Sequence, residues 1–160
     1  ETTDQPSEAE QKMMAMNIDQ TAKELSGAID FVAAEAGAAK VGTVGFCLGG
    51  GLSVFAASLN EKVGACVSFY YVMPHKKPDF GAIKAPVLMH WGGEDAWNDE
   101  QTVNALLDEM RAAGVNVASE TYPGCGHAFF NRADRLGTYD ADASATALQR
   151  TLEFYDANLG

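Results

Sequence analysis

The chain of 160 residues carries 22 acidic and 11 basic side chains, a net charge of −11, and is 47% hydrophobic. That composition supplies a core for a single domain and argues against a nucleic-acid or anionic-membrane partner, since both attract basic patches. The balance suits a cytoplasmic protein. Cysteines stand at 47, 66 and 125. Their odd number, wide spacing and lack of a CxxC pair speak against a disulfide framework and against structural zinc. No run of about 18 apolar residues is present to span a membrane. The opening ETTDQPSEAE lacks the basic start and apolar stretch of a signal peptide, so residues 1–7 read as a disordered terminus or loop remnant ahead of one domain.

Along the chain, helical and strand-like patterns alternate. Leu25, Ile29 and Val32 recur at helical spacing with Ala22 and Ala28 in the same stripe, and the pattern predicts one long helix over 8–36 that stops at Gly37. A short apolar run over 41–46 predicts a strand, followed by a buried helix containing Leu52, Val54, Phe55 and Ala56. Residues 63–71 predict a second strand and 85–91 a third, with Pro86 near its start, where proline is tolerated. Val103, Leu106, Leu107 and Met110 form an i, i+3, i+4, i+7 stripe that ends before Gly114. A fourth strand follows over 115–122. A helix over 141–157 closes the chain, with Leu148, Leu152 and Tyr155 expected inward.

This alternation predicts an α/β fold, a parallel sheet with helices on both faces. Ligand sites in such sheets lie beyond the carboxyl ends of the strands, where Cys47, Asp95 and His127 fall. A four-stranded parallel sheet leaves an apolar edge at TVGF with no charge to protect it. Either a second copy pairs there, or further strands precede residue 1.

The sharpest motif is Gly45-Phe46-Cys47-Leu48-Gly49, with Gly50 and Gly51 after it. It is the G-x-S-x-G nucleophile elbow with cysteine in place of serine. A strand turning abruptly into a helix leaves no room for side chains beside the nucleophile, which explains Gly45 and Gly49. The helix that follows aims its positive end at Cys47 and favours thiolate over thiol, and the Leu48 amide would donate to an oxyanion. Gly92-Gly93-Glu94-Asp95 follows a strand, and a carboxylate there can orient a histidine. Glu94 is a weaker candidate for that role, and Asp99 reads as the cap of the next helix. Gly124-Cys125-Gly126-His127 lies in the loop after the last strand. Nucleophile, acid and histidine thus occur in the chain order of α/β-hydrolases. His75, in the basic loop HKK, reads as solvent-facing, and His90 sits inside a strand. Cys125 with His127 is too sparse for a metal site, so no metal is assigned, and Cys66 reads as core. Trp97, Phe129 and Tyr71 are candidates for lining a substrate pocket.

At VGFCLGGGL, LMHWGGED and YPGCGHAFFN the sequence resembles the dienelactone hydrolase family, the carboxymethylenebutenolidases and their relatives. The resemblance runs from about the first helix to the C-terminus. It implies an α/β-hydrolase fold, of which this chain would be the C-terminal portion. It also implies Cys47 as nucleophile, Asp95 as acid and His127 as base, with no cofactor. In the family further chain precedes the elbow and holds the opening strands, a second oxyanion donor and a glutamate near the cysteine, and no residue here matches those roles. Where family members that act on dienelactone carry an arginine shortly after the histidine, this sequence has Asn131, with Arg132 next to it; Asn131 therefore joins the pocket candidates. The function so implied is hydrolysis of a small-molecule ester or lactone through a thioester at Cys47. Two rival readings stand beside it: a truncated, non-catalytic domain, and a thiol redox protein using Cys47 with Cys125 as its resolving partner.

Overall fold

The computed structural model describes residues 5–160. Two helices, not one, open the chain: α1 (Pro6–Met14) and α2 (Ile18–Ala36). The helix expected over 8–36 is interrupted because the Asn17 side chain accepts from the amides of Asp19 and Gln20 at 3.1 and 3.0 Å. Such local bonding competes with the helical ladder and makes asparagine a cap. Of the terminus expected to be irregular over 1–7, residues 1–4 lie outside the described residues and α1 already begins at Pro6. Gly37 stops α2 at φ +60°, the left-handed conformation that glycine adopts without strain.

The remainder alternates as expected: β1 (Val41–Phe46), α3 (Leu48–Leu59), β2 (Val63–Phe69), a 3₁₀ turn (Phe80–Ala82), β3 (Val87–Gly92), α4 (Glu100–Ala112), β4 (Val117–Tyr122) and α5 (Ala141–Leu159). The strands form one parallel sheet in the order β1-β2-β3-β4. Because side chains alternate across a strand, β2 feeds two cores. Cys66 points to the face covered by α2, α3 and α4, where Ile29, Val54, Leu107 and Met110 pack with Val87 and Met89. Val67 and Phe69 point to the α5 face and meet Leu88, Phe129 and Ala147.

The inward face of α5 differs from the expected one. Leu148 and Leu152 are 47% and 55% exposed, while Ser144, Ala147 and Thr151 are buried; Tyr155 is half-buried, its hydroxyl donating to the Thr43 carbonyl at 2.7 Å. Small residues let α5 lie close to the sheet, and their hydroxyls have partners inside: Ser144 Oγ donates to the Phe129 carbonyl at 3.1 Å, and Thr151 Oγ1 lies 3.1 Å from His90 Nε2. Buried polar groups with partners cost little, so here close approach outranks leucine content.

His75 also departs from expectation. It is half-buried, and its Nε2 lies 2.7 Å from the Met13 carbonyl at the end of α1, tying the 70–79 loop to the first helix. At the sheet edge, β1 carries Val44 and Phe46 at 51% and 41% exposure, and no strand pairs with its outer side among the described residues. No helix among the described residues is long and apolar enough to cross a membrane.

The α5 assignment predicts an inverted mutational pattern. Leu152→Gln should change the unfolding free energy by no more than about 0.5 kcal/mol, whereas Ala147→Leu should cost about 1–3 kcal/mol by overpacking. Urea denaturation of the two variants checks the ranking.

Candidate active site

The carboxyl ends of β1, β2, β3 and β4 converge. At the end of β1 the chain reverses into α3 through Cys47, whose φ of +56° and ψ of −121° lie in a region that L-residues avoid. Backbone bonds hold it there: the Cys47 amide donates to the Phe69 carbonyl at 3.0 Å, and the Val72 amide donates to the Cys47 carbonyl at 3.2 Å. Gly45 is sterically compulsory, since a Cβ there would stand 1.7 Å from the Gly49 carbonyl oxygen. Gly51 is equally constrained, with the Val72 carbonyl oxygen 2.2 Å from a Cβ position, but Gly49, expected to be crowded, faces open space. Leu48 is the first residue of α3, so its amide has no intrahelical acceptor and remains available to an anion.

Asp95 follows β3 in a turn of its own making. Its Oδ1 accepts from the amides of Trp97 and Asn98 at 2.8 and 3.2 Å, and its Oδ2 accepts from Asn98 Nδ2 at 3.1 Å. Oδ2 also lies 2.8 Å from His127 Nδ1, and since a carboxylate only accepts, Nδ1 carries the proton. Asp95 is 4% exposed and His127 6%. Burial pushes the Asp95 carboxyl up, but the His127 bond, the Trp97 amide, Asn98 and the imidazole charge together hold it below its usual value. Burial likewise works against charge on His127, yet bonds and charges from Asp95 and Cys47 outweigh it and raise the imidazole to about 9. Its Nε2 is buried with no partner in full hydrogen-bond geometry, although Cys47 lies near enough to act on the ring.

The loops that carry Asp95 and His127 touch backbone to backbone. The Gly93 amide donates to the Tyr122 carbonyl and the Glu94 amide to the Cys125 carbonyl, both at 2.8 Å. Gly92 permits this: a Cβ there would lie 2.4 Å from the Cys125 oxygen. Over the imidazole, the Trp97 ring sits 4.1 Å and the Tyr70 ring 4.9 Å away, centroid to centroid. Tyr70 and Ala128 share the unusual positive φ of Cys47, at 38° and 63°, so three backbone outliers gather where the catalytic candidates meet.

The pocket candidates divide. Trp97, 60% exposed, and Tyr71 line an apolar cleft of about 400 Å³ with Val72, Met73, Trp91 and Leu106. Phe129 is a correction: it is wholly buried in the α5-side core, because the positive φ at Ala128 turns the chain inward after His127. Asn131 is exposed, and its side chain accepts from the Ala133 amide at 3.0 Å, holding a turn rather than lining the cleft. Glu94 is exposed, and Asp99 caps α4 by accepting from the Thr102 amide at 2.8 Å. Sequence reasoning missed Asn98. The signal for Asn98 was present as an amide three residues after Asp95, the reach of a side-chain turn.

The sequence model of the dienelactone hydrolase family matches residues 1–159. The chain belongs to the dienelactone hydrolase family. A relative from Methylorubrum extorquens, provisionally named as a carboxymethylenebutenolidase, is 31% identical over 147 residues, covering 85% of this chain and 50% of its own length. Another so named, from Saccharolobus solfataricus, is 30% identical over 140 residues, covering 85% and 51%. The chain thus spans about half the length of the curated relatives it matches. Among solved structures, one provisionally titled a dienelactone hydrolase, from Klebsiella pneumoniae subsp. pneumoniae MGH 78578, has a TM-score of 0.73 at 27% identity, covering 85% of this chain and 61% of that one. A dienelactone hydrolase-like promiscuous phosphotriesterase from metagenomic libraries has a TM-score of 0.69 at 26% identity, covering 76% and 54%. The parallel sheet described above is that of this α/β-hydrolase-type fold.

Two histidines of this dienelactone hydrolase family member give stability opposite pH slopes. Burial, aided by the Arg150 charge, lowers His90 from 6.5 to about 4. The unfolded chain therefore takes up a proton that the fold refuses, so the contribution of neutral His90 is complete above 6.5 and is lost as pH falls toward 4. His127 behaves oppositely: its contribution is complete below 6.5 and lost as pH rises through about 9. In urea denaturation at stepped pH, His127→Gln should flatten the alkaline slope and His90→Asn the acid one between about 4 and 6.5.

Proposed function

We propose that this chain hydrolyses small carboxylic esters or lactones by acyl transfer through Cys47. One observation carries the reading: a cysteine held at φ +56° on the first turn of α3 adjoins a histidine whose other nitrogen is tied, at 2.8 Å, to a buried aspartate. In this reading the charged His127 keeps Cys47 as the thiolate, whose sulfur bonds to the substrate carbonyl carbon as the carbonyl electron pair moves onto oxygen. Asp95 holds the imidazole in the Nδ1–H tautomer and balances its charge. The Leu48 amide donates to the oxyanion. The alkoxide leaves with the proton from His127. Water, deprotonated by His127, then attacks the thioester, releasing the acid and restoring the thiolate beside the charged imidazole.

A thiolate is itself a good leaving group, so the scheme favours substrates with activated leaving groups, such as enol lactones. The Tyr71–Trp97 cleft, about 400 Å³ and mostly apolar, would receive the uncharged body of such a substrate beside His127. Three unpaired cysteines, one of them the nucleophile, suit a reducing compartment such as the cytoplasm. The redox alternative fares poorly: Cys125 is 3% exposed within the α5-side core, and its thiol is pushed up first by burial and then by the charges of Asp140 and Glu94.

The deciding experiment is turnover of p-nitrophenyl acetate. Cys47→Ala should lower kcat/KM by at least about 10³-fold with the fold intact; equal rates in the two proteins would overturn the reading. Trp97→Ala should raise KM by removing a wall of the cleft and lower kcat as well, because the ring covering His127 is lost with it.

A further inference from the structure

Asp95 is over-determined. A carboxylate has about four acceptor positions, and here all four are occupied: two on Oδ1 by the Trp97 and Asn98 amides, and two on Oδ2 by His127 Nδ1 and Asn98 Nδ2. The backbone amides would be present whatever side chain stood at 98. They hold Oδ1 alone, which leaves the carboxylate free to turn about that anchor. Asn98 Nδ2 is the side-chain contact that fixes Oδ2, the oxygen facing His127. Asn98 is itself 8% exposed, and its side chain forms part of the wall between the Tyr71–Trp97 cleft and a second cleft behind Asp95. An apolar residue of similar size would pack in that wall equally well. The amide is therefore a choice of chemistry, not of volume.

We propose that Asn98 is a positioning residue for the hydrolytic reaction: its Nδ2–H fixes the plane of Asp95, and through Asp95 the tautomer and direction of the His127 ring. This inference rests on the triad proposed above. It adds a fourth member, whose Nδ2 holds Asp95 and not a reacting atom. A ring turned away from Cys47 loses proton transfer, and misplacement of about 1 Å costs on the order of 10²-fold in rate. The contact is made to Asp95 and not to the substrate, so its loss falls on kcat, while any change in the cleft wall that Asn98 shares falls on KM.

Asn98→Asp gives a signature that packing alone cannot. The replacement is isosteric and puts a carboxyl oxygen where Nδ2 stood, facing Asp95 Oδ2. Two carboxylates at that distance cannot both ionise, and one retains a proton to higher pH. While protonated, the new carboxyl donates to Asp95 as the amide did; once ionised, it repels Asp95. The other titratable groups near the pair are His127 on Asp95, Cys47 beyond His127, Glu94 and Glu100 lining the second cleft, and Tyr71 in the first, while Asp99 is engaged with the Thr102 amide. Groups remote from residue 98 titrate alike in both proteins, whereas Asp95 and His127 are coupled to the new carboxyl and shift with it.

The experiment measures kcat and KM for p-nitrophenyl acetate from pH 5 to 9 for the parent, Asn98→Asp, Asn98→Ala and Cys47→Ala, with thermal melting of each. The expected result is a kcat for Asn98→Ala lowered roughly 10–100-fold, a larger factor than the change in KM. For Asn98→Asp, the parent-to-variant ratio should be near one at low pH and climb at least about tenfold as pH rises. A ratio that stays flat with pH, whether near one or accompanied by a general loss of stability, overturns the positioning role. Full activity in Cys47→Ala would instead overturn the triad itself, and the two failures are distinct.

Discussion

The conformation of one residue organises this molecule. Cys47 occupies φ +56°, a backbone state that costs on the order of 1–3 kcal/mol and persists only where its surroundings over-determine it. They do so through main-chain contacts. The Phe69 carbonyl and the Val72 amide grip either side of the peptide, Gly45 leaves room for the Gly49 carbonyl, and Gly51 leaves room for that of Val72. The nucleophile candidate is thereby fixed to β2 and its following loop as well as to its own strand. Disturbing that packing moves the chemistry as well as the fold.

The same construction recurs at the other two loops. Asp95 and His127 are separated by 32 positions in sequence, yet their loops are joined by main-chain bonds that glycine at 92 makes possible. What varies from loop to loop is the side chain set on this scaffold. Burial raises the cost of charge for both members of the Asp95–His127 pair, and each is then returned to its charged form by the other. Neither would hold its charge so firmly alone, which gives the pair its strength and its dependence on exact register between β3 and β4.

Much of this was legible in the sequence because the governing constraints are local. The glycines of GFCLGG and the order of cysteine, aspartate and histidine are signatures of steric and chemical necessity, and the strand and helix periods follow from burial of alternate faces. The errors arose where a long-range contact overruled a local pattern. Leucines at 148 and 152 suggested a face of α5 that the sheet does not use, because approach to His90 and the Phe129 carbonyl favours serine, alanine and threonine. The break at Asn17 was hidden within a run of helix formers. Phe129 looked like a pocket wall until the left-handed turn at Ala128 drove it into the core. Asn98 went unremarked because its partner, Asp95 Oδ2, matters only once His127 is known to share it.

Trp97 stands more than half exposed with its ring 4.1 Å from His127. An excited indole passes its energy readily to a neighbouring imidazolium and far less readily to neutral imidazole. Its light emission is therefore coupled to the protonation of His127: dim while the imidazole is charged, brighter as the proton leaves near pH 9. Trp91 is sealed in the other core, away from solvent. The protein thus carries its own optical indicator of the state of His127, readable without label, substrate or turnover.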